Sequence, residues 1–102
     1  MYSVCAYTSN IRYEWDDKKR LINIEKHKVD FIDAVLVLED EFALTIEVSD
    51  VRYNEKRYVT VGKESGDRVL TIVYTLRKDV IRIISARSAS RNERKQYEEK
   101  IL

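Results

Sequence analysis

Residues 80–86, Val-Ile-Arg-Ile-Ile-Ser-Ala, are the segment that most constrains how this chain can fold. Apolar side chains occupy both alternating faces of the segment, which is typical of a central strand buried on both sides. Arg82 lies in the middle of this run and has no short route to water. A buried guanidinium group is costly without a counter-charge, so Arg82 requires a partner, either within the protein or in an anionic ligand.

The region before residue 42 predicts one strand followed by two helices. Residues 11–15 alternate between apolar and polar side chains, as a short, half-buried strand does. Asp16 is a suitable N-cap for a helix over residues 17–28, and Asp30 for a second helix over residues 31–38. The apolar residues of the second helix go nearly all round it, which implies that this helix is buried.

The second half of the chain predicts a meander and a final helix. Further strands are expected at residues 42–48, 57–62, 68–76 and 80–86. The loops between the last three are short, which favours antiparallel neighbours. Ser90 and Glu93 form a capping box, so a helix begins at about Arg91 and runs to the C-terminus. The predicted fold class is α+β: a mostly antiparallel, twisted sheet, two helices after the first strand, and a C-terminal helix.

A chain of 102 residues is sufficient for a single domain, here residues 1–102, with residues 1–10 expected to be an irregular leader. The residues expected to form its core are Leu21, Ile24, Phe31, Val35, Leu38, Val59, Val61, Leu70, Ile72, Ile81 and Ile83.

The composition excludes several kinds of site. One histidine and one cysteine cannot supply a zinc site of the usual kind, and two glycines cannot form a phosphate-binding loop. No metal or cofactor is therefore expected. The sequence has no run of about 18 apolar residues, and residues 1–10 do not resemble a signal peptide. A single cysteine cannot form an internal disulfide, which fits a cytoplasmic protein.

The net charge of +1 conceals a division along the chain. Residues 30–55 contain eight acidic residues and one basic residue, whereas residues 77–102 contain eight basic and four acidic residues. Ten of the nineteen cations are arginine, the side chain best suited to bidentate phosphate contacts. This pattern fits a solvated surface with internal ion pairs, and it also fits an anion-binding site.

Two interpretations of Arg82 remain open. In the first, Glu55 pairs with Arg82 or with Arg57 across neighbouring strands and fixes the register of the sheet. In the second, Arg57, Arg82 and Arg87 form an anion-binding cleft in which Glu55 holds one guanidinium group in place.

A cleft of this kind suits cleavage of RNA without a metal ion. The 2′-hydroxyl must lose a proton as it attacks the adjacent phosphorus, and fixed guanidinium groups stabilise the charge that the phosphate gains. The candidates for general base and general acid are Glu55, His27 and Tyr97. The catalytic set we predict is Glu55, Arg57, Arg82, Arg87 and His27.

The C-terminal helix is unusually polar. It has little apolar surface of its own to bury, so it is either a solvated end or a surface for a partner or a polyanion. The candidate RNA contacts are Lys26, Arg91 and Arg94, and the candidate partner contacts are Tyr97 and Ile101.

Several motifs resemble, in order, those of the BrnT-type toxin family. They are Glu14-Trp-Asp16, Asn23-Ile-Glu-Lys-His27, Phe31-Ile-Asp-Ala34, Glu55-Lys-Arg57, Gly62, Arg68, Ile81-Arg-Ile-Ile-Ser-Ala-Arg87 and Glu93-Arg-Lys-Gln-Tyr-Glu-Glu99. The run that begins at Ile81 is the most specific. The chain departs from the family in two places: residues 1–10 extend beyond the usual start, and Arg52-Tyr53 stands where a His-Ser pair is common.

The resemblance implies a RelE-like ribonuclease fold and a toxin of a type II toxin–antitoxin system that stops translation by cutting RNA. It also implies neutralisation by a BrnA-type antitoxin with a ribbon-helix-helix domain. Because such domains are dimers, a complex of two toxins and two antitoxins is expected, which binds DNA only through the antitoxin. The alternatives are a non-catalytic RNA-binding module and a protein-interaction subunit with a basic docking face.

Overall fold

The structure, a computed structural model, describes residues 3–8, 11–50, 52, 55–64 and 66–101. In chain order the elements are β1 (Ser3–Thr8), β2 (Ile11–Trp15), α1 (Asp17–His27), α2 (Phe31–Leu38), β3 (Leu44–Asp50), β4 (Glu55–Lys63), β5 (Val69–Arg77), β6 (Val80–Ser88) and α3 (Arg91–Ile101). The strands that the structure describes form one sheet in the order β1-β2-β6-β5-β4-β3. Only β2 and β6 pair in parallel within this sheet; the other neighbours are antiparallel. The predicted α+β class, with two helices after the first of the predicted strands, is confirmed.

The two predicted N-caps start the two consecutive helices. The carboxylate of Asp16 accepts hydrogen bonds from the backbone N–H groups of Lys18 and Lys19 at 2.8 and 3.3 Å. Asp30 accepts from the N–H of Ile32 at 3.1 Å and also binds Arg20 of α1 through both carboxylate oxygens. The caps therefore satisfy exposed helix donors and join α1 to the start of α2.

One face of the sheet carries the core. Tyr13, Ile72, Tyr74, Ile83 and Ala86 point from the strands into a buried cluster completed by side chains of α2 and of the segment before it. We call this surface the core face. Phe31, which is fully buried, packs edge-on against Trp15 within the same cluster.

Asn23 of α1 continues the sheet where β2 ends. Beyond Arg82, β6 no longer pairs with β2, so among the described residues the backbone of Ala86 has β5 on one side and no strand on the other. Asn23 Nδ2 donates to the carbonyl oxygen of Ala86 at 2.7 Å, and Asn23 Oδ1 accepts from the Ala86 N–H at 3.2 Å. A second bond from Nδ2 to the carbonyl of Val29 fixes the carboxamide. The buried amide thus takes the place of a neighbouring strand.

Tyr97 anchors α3 to the opposite face of the sheet. Its ring is buried against Val61 and Val69, and its hydroxyl donates to Asp40 Oδ2 at 2.5 Å. Burial, and then the bond to Asp40, raise the pKa of Tyr97 to about 12. Tyr97 is therefore unavailable as the partner contact that the sequence suggested. The side chain of Ile101 lies outside the described residues.

Three details of the fold correct the sequence prediction. Residues 3–8 of the predicted irregular leader form β1, which pairs with β2. Strand β3 begins two residues later than expected, because Asp40 holds a turn by accepting from the N–H of Phe42. Leu21, expected in the core, is 64% exposed.

The other predicted core residues are buried or half-buried. Phe31, Val35, Val61, Leu70, Ile72 and Ile83 are buried, and Ile24, Leu38, Val59 and Ile81 are half-buried. No helix in the described part of the chain is long and apolar enough to span a membrane.

Candidate active site

The register of β5 and β6 places several arginines on one face of the sheet. Side chains at alternate positions of a strand share a face, so Thr71, Thr75 and Arg77 of β5 point the same way. Thr71 lies opposite Arg87, and Thr75 lies opposite Arg82. Arg77, Arg82 and Arg87 therefore share the surface that is opposite to the core face.

Strand β4 adds Arg57 and Glu55 to this surface. Val59 of β4 lies opposite Val73, which shares the face of Thr75. Arg57 and Glu55 are two and four residues before Val59 and alternate onto the same side. We define the basic face as Arg12, Arg57, Arg77, Arg82 and Arg87, together with the acidic residues between them.

Glu14 is the partner of Arg82 that the apolar strand requires. The two residues lie side by side on the parallel strands β2 and β6, and Arg82 Nε donates to Glu14 Oε1 at 2.6 Å. Their side chains are only 18% and 12% exposed, so this ion pair is largely shielded from water. A shielded, charge-assisted bond holds the guanidinium group in one orientation.

Glu55 makes an ion pair with an arginine that neither interpretation of Arg82 named. Glu55 Oε1 lies 3.6 Å from Arg77 Nη2 on the neighbouring strand β5. Arg77 is more than half exposed, which makes this a weak surface pair. Glu55 nevertheless lies on the basic face, as the second interpretation of Arg82 requires.

A pocket of about 380 Å³ opens on the basic face beside Arg82. Its lining residues are Arg12, Glu14, Arg77, Lys78, Val80 and Arg82. Four of the six carry a positive charge and one is acidic, so the pocket has a net positive charge that suits a phosphate group.

Arg87 is tied to the start of α3 by Glu93. Its Nη1 and Nη2 donate to the two carboxylate oxygens of Glu93 at 2.8 and 3.0 Å. Glu93 Oε1 also accepts from Thr71 Oγ1 at 3.0 Å and from the N–H of Ser90 at 2.8 Å, the latter completing the predicted capping box. The bonds from Arg87 outweigh the effect of burial, and the pKa of Glu93 falls to about 2.

The remaining predicted site residues are distributed elsewhere. Arg91 and Arg94 are exposed on α3, which packs on the same side of the sheet as the basic face. Lys26 and His27 lie in the last turn of α1. Within the described residues, no hydrogen bond or ion pair joins Lys26 or His27 to the basic face.

Sequence reasoning missed Glu14, Arg12 and Arg77 as members of this surface. A signal was present for two of them, because Arg12 and Glu14 are the outward positions of the alternating segment 11–15. The sequence did not show, however, that β2 lies next to β6.

Among the described residues, no group of three or more His, Cys, Asp or Glu side chains is placed to hold a metal ion.

Comparison with known protein families identifies the kind of protein that carries this surface. Residues 15–93 match the family described as the ribonuclease toxin, BrnT, of type II toxin–antitoxin systems. This chain belongs to the BrnT family. The resemblance noted in the sequence motifs is thereby confirmed, and the match spans Arg57, Arg82 and Arg87 but begins just after Glu14.

A solved BrnT structure has a similar fold. The crystal structure of the Brucella abortus ribonuclease toxin BrnT, at 1.1 Å resolution, matches with a TM-score of 0.59 and 28% sequence identity, covering 76% of this chain and 94% of that one. No curated protein sequence matches the chain. This BrnT chain is thus a member of a family of type II ribonuclease toxins, and its basic face is the candidate site.

Proposed function

We propose that this BrnT chain is an endoribonuclease that cleaves RNA without a metal ion, through attack by the 2′-oxygen. The observation that carries the proposal is the shielded Glu14–Arg82 pair at the edge of an open, positively charged pocket. A guanidinium group fixed before the substrate arrives stabilises developing phosphate charge without further reorganisation. A solvated surface arginine lacks that advantage.

The chemistry assigns roles to the residues of the basic face. Arg82, Arg57 and the pocket arginines hold the scissile phosphate and stabilise the charge on its non-bridging oxygens. Glu55 takes the proton of the 2′-hydroxyl, whose oxygen bonds to phosphorus while the bond to the 5′-oxygen breaks. The products are a 2′,3′-cyclic phosphate and a 5′-hydroxyl, the latter receiving a proton from water. Lys26 and His27 have no part in this assignment.

The biological consequence follows from the family. Cutting RNA inhibits translation, and a cell that makes such a toxin must neutralise it. We propose a BrnA-type antitoxin with a ribbon-helix-helix domain, in a complex of two toxins and two antitoxins that binds DNA through the antitoxin.

The test is cleavage of a labelled RNA by purified, antitoxin-free protein in the presence of chelator. We expect cyclic-phosphate ends, and a loss of about 10²–10³-fold in cleavage rate for Arg82→Ala. Arg82→Lys keeps a positive charge beside Glu14. It therefore tests whether the loss of cleavage in Arg82→Ala is due to unfolding caused by an unpaired Glu14. Arg68→Ala is the matched control, because Arg68 pairs with Glu64 and Asp33 away from the basic face.

Two outcomes would contradict the proposal. Cleavage that disappears with chelator alone would show that a metal ion is required. RNA that is bound with a strong salt dependence but left intact would show a non-catalytic RNA-binding module.

A further inference from the structure

Strand β3 is an outermost strand of the described sheet with an open edge. It pairs with β4 along its whole length, from Leu44 opposite Val61 to Asp50 opposite Glu55. No other strand that the structure describes lies on its outer side. A row of backbone N–H and C=O groups therefore faces outward over seven residues.

This edge lacks two of the usual devices that prevent pairing with another chain, a proline and a bulge. Natural edge strands are protected by proline, by bulges, or by charged side chains that face inward. β3 contains no proline, and its register with β4 is unbroken. Before the terminal Asp50 its one charged residue is Glu47, which alternates onto the core-face side; Lys56 Nζ lies 3.3 Å from Glu47 Oε1 and balances its charge.

Apolar side chains of β3 are exposed beside the basic face. Ile46 lies opposite Val59 and is 61% exposed, and Val48 lies opposite Arg57 and is 44% exposed. Both therefore point to the same side of the sheet as Arg57. Large aliphatic side chains left in water beside an open strand edge are typical of a surface that a protein partner covers.

We propose that an extended segment of the antitoxin pairs with the open edge of β3 and then crosses the basic face. This inference rests on the proposed function and names the surface through which the toxin is neutralised. The paired part has apolar residues at alternate positions, beside Ile46 and Val48. The part that follows is acidic and lies over Arg57 and the pocket near Arg82, where it excludes RNA.

The chemistry of the edge favours this occupant over two others. An RNA strand has no regular series of N–H and C=O groups to match a strand edge, and its backbone is too polar for Ile46 and Val48. A second copy of this chain, paired edge to edge through β3, would place a second set of basic-face arginines beside the first, and like charges so arranged repel each other. An acidic, extended peptide satisfies the edge, the apolar side chains and the arginines together.

Hydrogen exchange on the intact complex tests the pairing. This chain is co-expressed with the DNA-binding protein encoded beside it, and amide exchange is compared with that of the free toxin. We expect the outward-facing amides of residues 44–50 to exchange at least about tenfold more slowly in the complex, because each gains a backbone acceptor. Unchanged exchange in β3 overturns the inference, as does failure of any complex to form.

Substitutions test whether the same surface produces neutralisation. In the double variant Ile46→Asn, Val48→Asn, RNA cleavage is expected to stay within about twofold of the unaltered toxin, whereas inhibition by the antitoxin weakens at least about tenfold. Ser49→Asn, on the other side of the same strand, is the matched control and should leave both properties unchanged. Full neutralisation of the double variant overturns the inference.

The two proposals can fail separately. Protection of β3 in a complex whose free toxin leaves RNA intact would support the docking surface and reject the ribonuclease assignment. Protection of β3 in the free toxin that rises with its concentration would instead identify a second copy as the occupant and overturn the inference. The exchange measurement uses unaltered protein, so it decides the question even if the double variant does not fold.

Discussion

Replacing Glu93 by glutamine should destabilise the protein at neutral pH, because one carboxylate joins three parts of the fold. Glu93 accepts two hydrogen bonds from Arg87, one from Thr71 and one from the N–H of Ser90. A glutamine side chain has one acceptor oxygen, and its amide group would face a guanidinium N–H. The variant Glu93→Gln therefore loses the ion pair and at least one hydrogen bond.

The expected loss is about 2 kcal/mol. Hydrogen bonds to charged groups contribute about 1.5–3 kcal/mol to the free energy of unfolding. We take the lower part of that range because Arg87 is 40% exposed, so water screens the pair and can solvate the released guanidinium group. For a domain of this size, such a loss lowers the melting temperature by roughly 10 °C.

The loss should depend on pH in a defined direction. The pKa of Glu93 is about 2 in the folded protein, compared with 4.5 for an unperturbed carboxyl group. A lowered pKa in the folded state stabilises the protein fully above the unfolded-state pKa, and this contribution disappears as the pH falls towards 2. The difference between the unaltered protein and Glu93→Gln should therefore be constant near neutral pH and shrink below about pH 4.5.

Urea unfolding followed by circular dichroism, at neutral pH and at acidic pH, measures this difference. Glu98→Gln is the matched control, because Glu98 is an exposed residue of the same helix. Equal stability of Glu93→Gln and the unaltered protein at neutral pH, or a difference that persists unchanged in acid, would refute the reasoning. The variant Arg87→Ala adds a functional result: if it loses as much stability as Glu93→Gln yet cleaves RNA normally, Arg87 is a structural residue.

Three further predictions concern the packing of the sheet. Phe31→Ala should cost about 3–5 kcal/mol in thermal or urea unfolding, whereas Leu21→Ala should change stability by less than about 0.5 kcal/mol, since only Phe31 is buried. Asn23→Ala should lower the free energy of unfolding by at least about 2 kcal/mol in the same assay, because it leaves the buried N–H and C=O of Ala86 unpaired. Unchanged stability would show that water replaces the amide of Asn23. Gly62→Ala should lower the free energy of unfolding by about 1–2 kcal/mol. The added Cβ would lie 3.0 Å from a side-chain methyl group and 3.2 Å from the backbone carbonyl oxygen of Val37 in α2. Equal or greater stability would show that α2 can shift.

Local signals in the sequence predicted the helices well. Asp16, Asp30 and Ser90 each cap the helix that follows them, because capping depends on residues only two or three positions apart. The strands of the meander were also placed correctly to within a few residues. Residues 3–8 were not recognised as a strand, since their stability comes from pairing with β2 and not from an apolar periodicity of their own.

The candidate site depended on information that is not local. The sequence showed that Arg82 needed a partner, but it offered Glu55, which lies nearby in an adjacent hairpin, whereas the partner is Glu14 from the other end of the chain. Tyr97 was misjudged for a related reason: a single aromatic side chain on a polar helix gives no periodic pattern, yet it fits between Val61 and Val69. Sheet order and helix docking are determined by the whole chain.

The central position of β6 also determines when, during synthesis, the candidate site can first form. Glu14 and Arg82 are 68 residues apart in the chain, and β6 is the strand that joins β2 to β5. A nascent chain that ends before residue 80 has β2 without its parallel neighbour, and it lacks both Arg82 and Arg87. Fragments that end before residue 80 therefore lack two of the five arginines of the basic face, and only a chain extended beyond residue 87 carries all five.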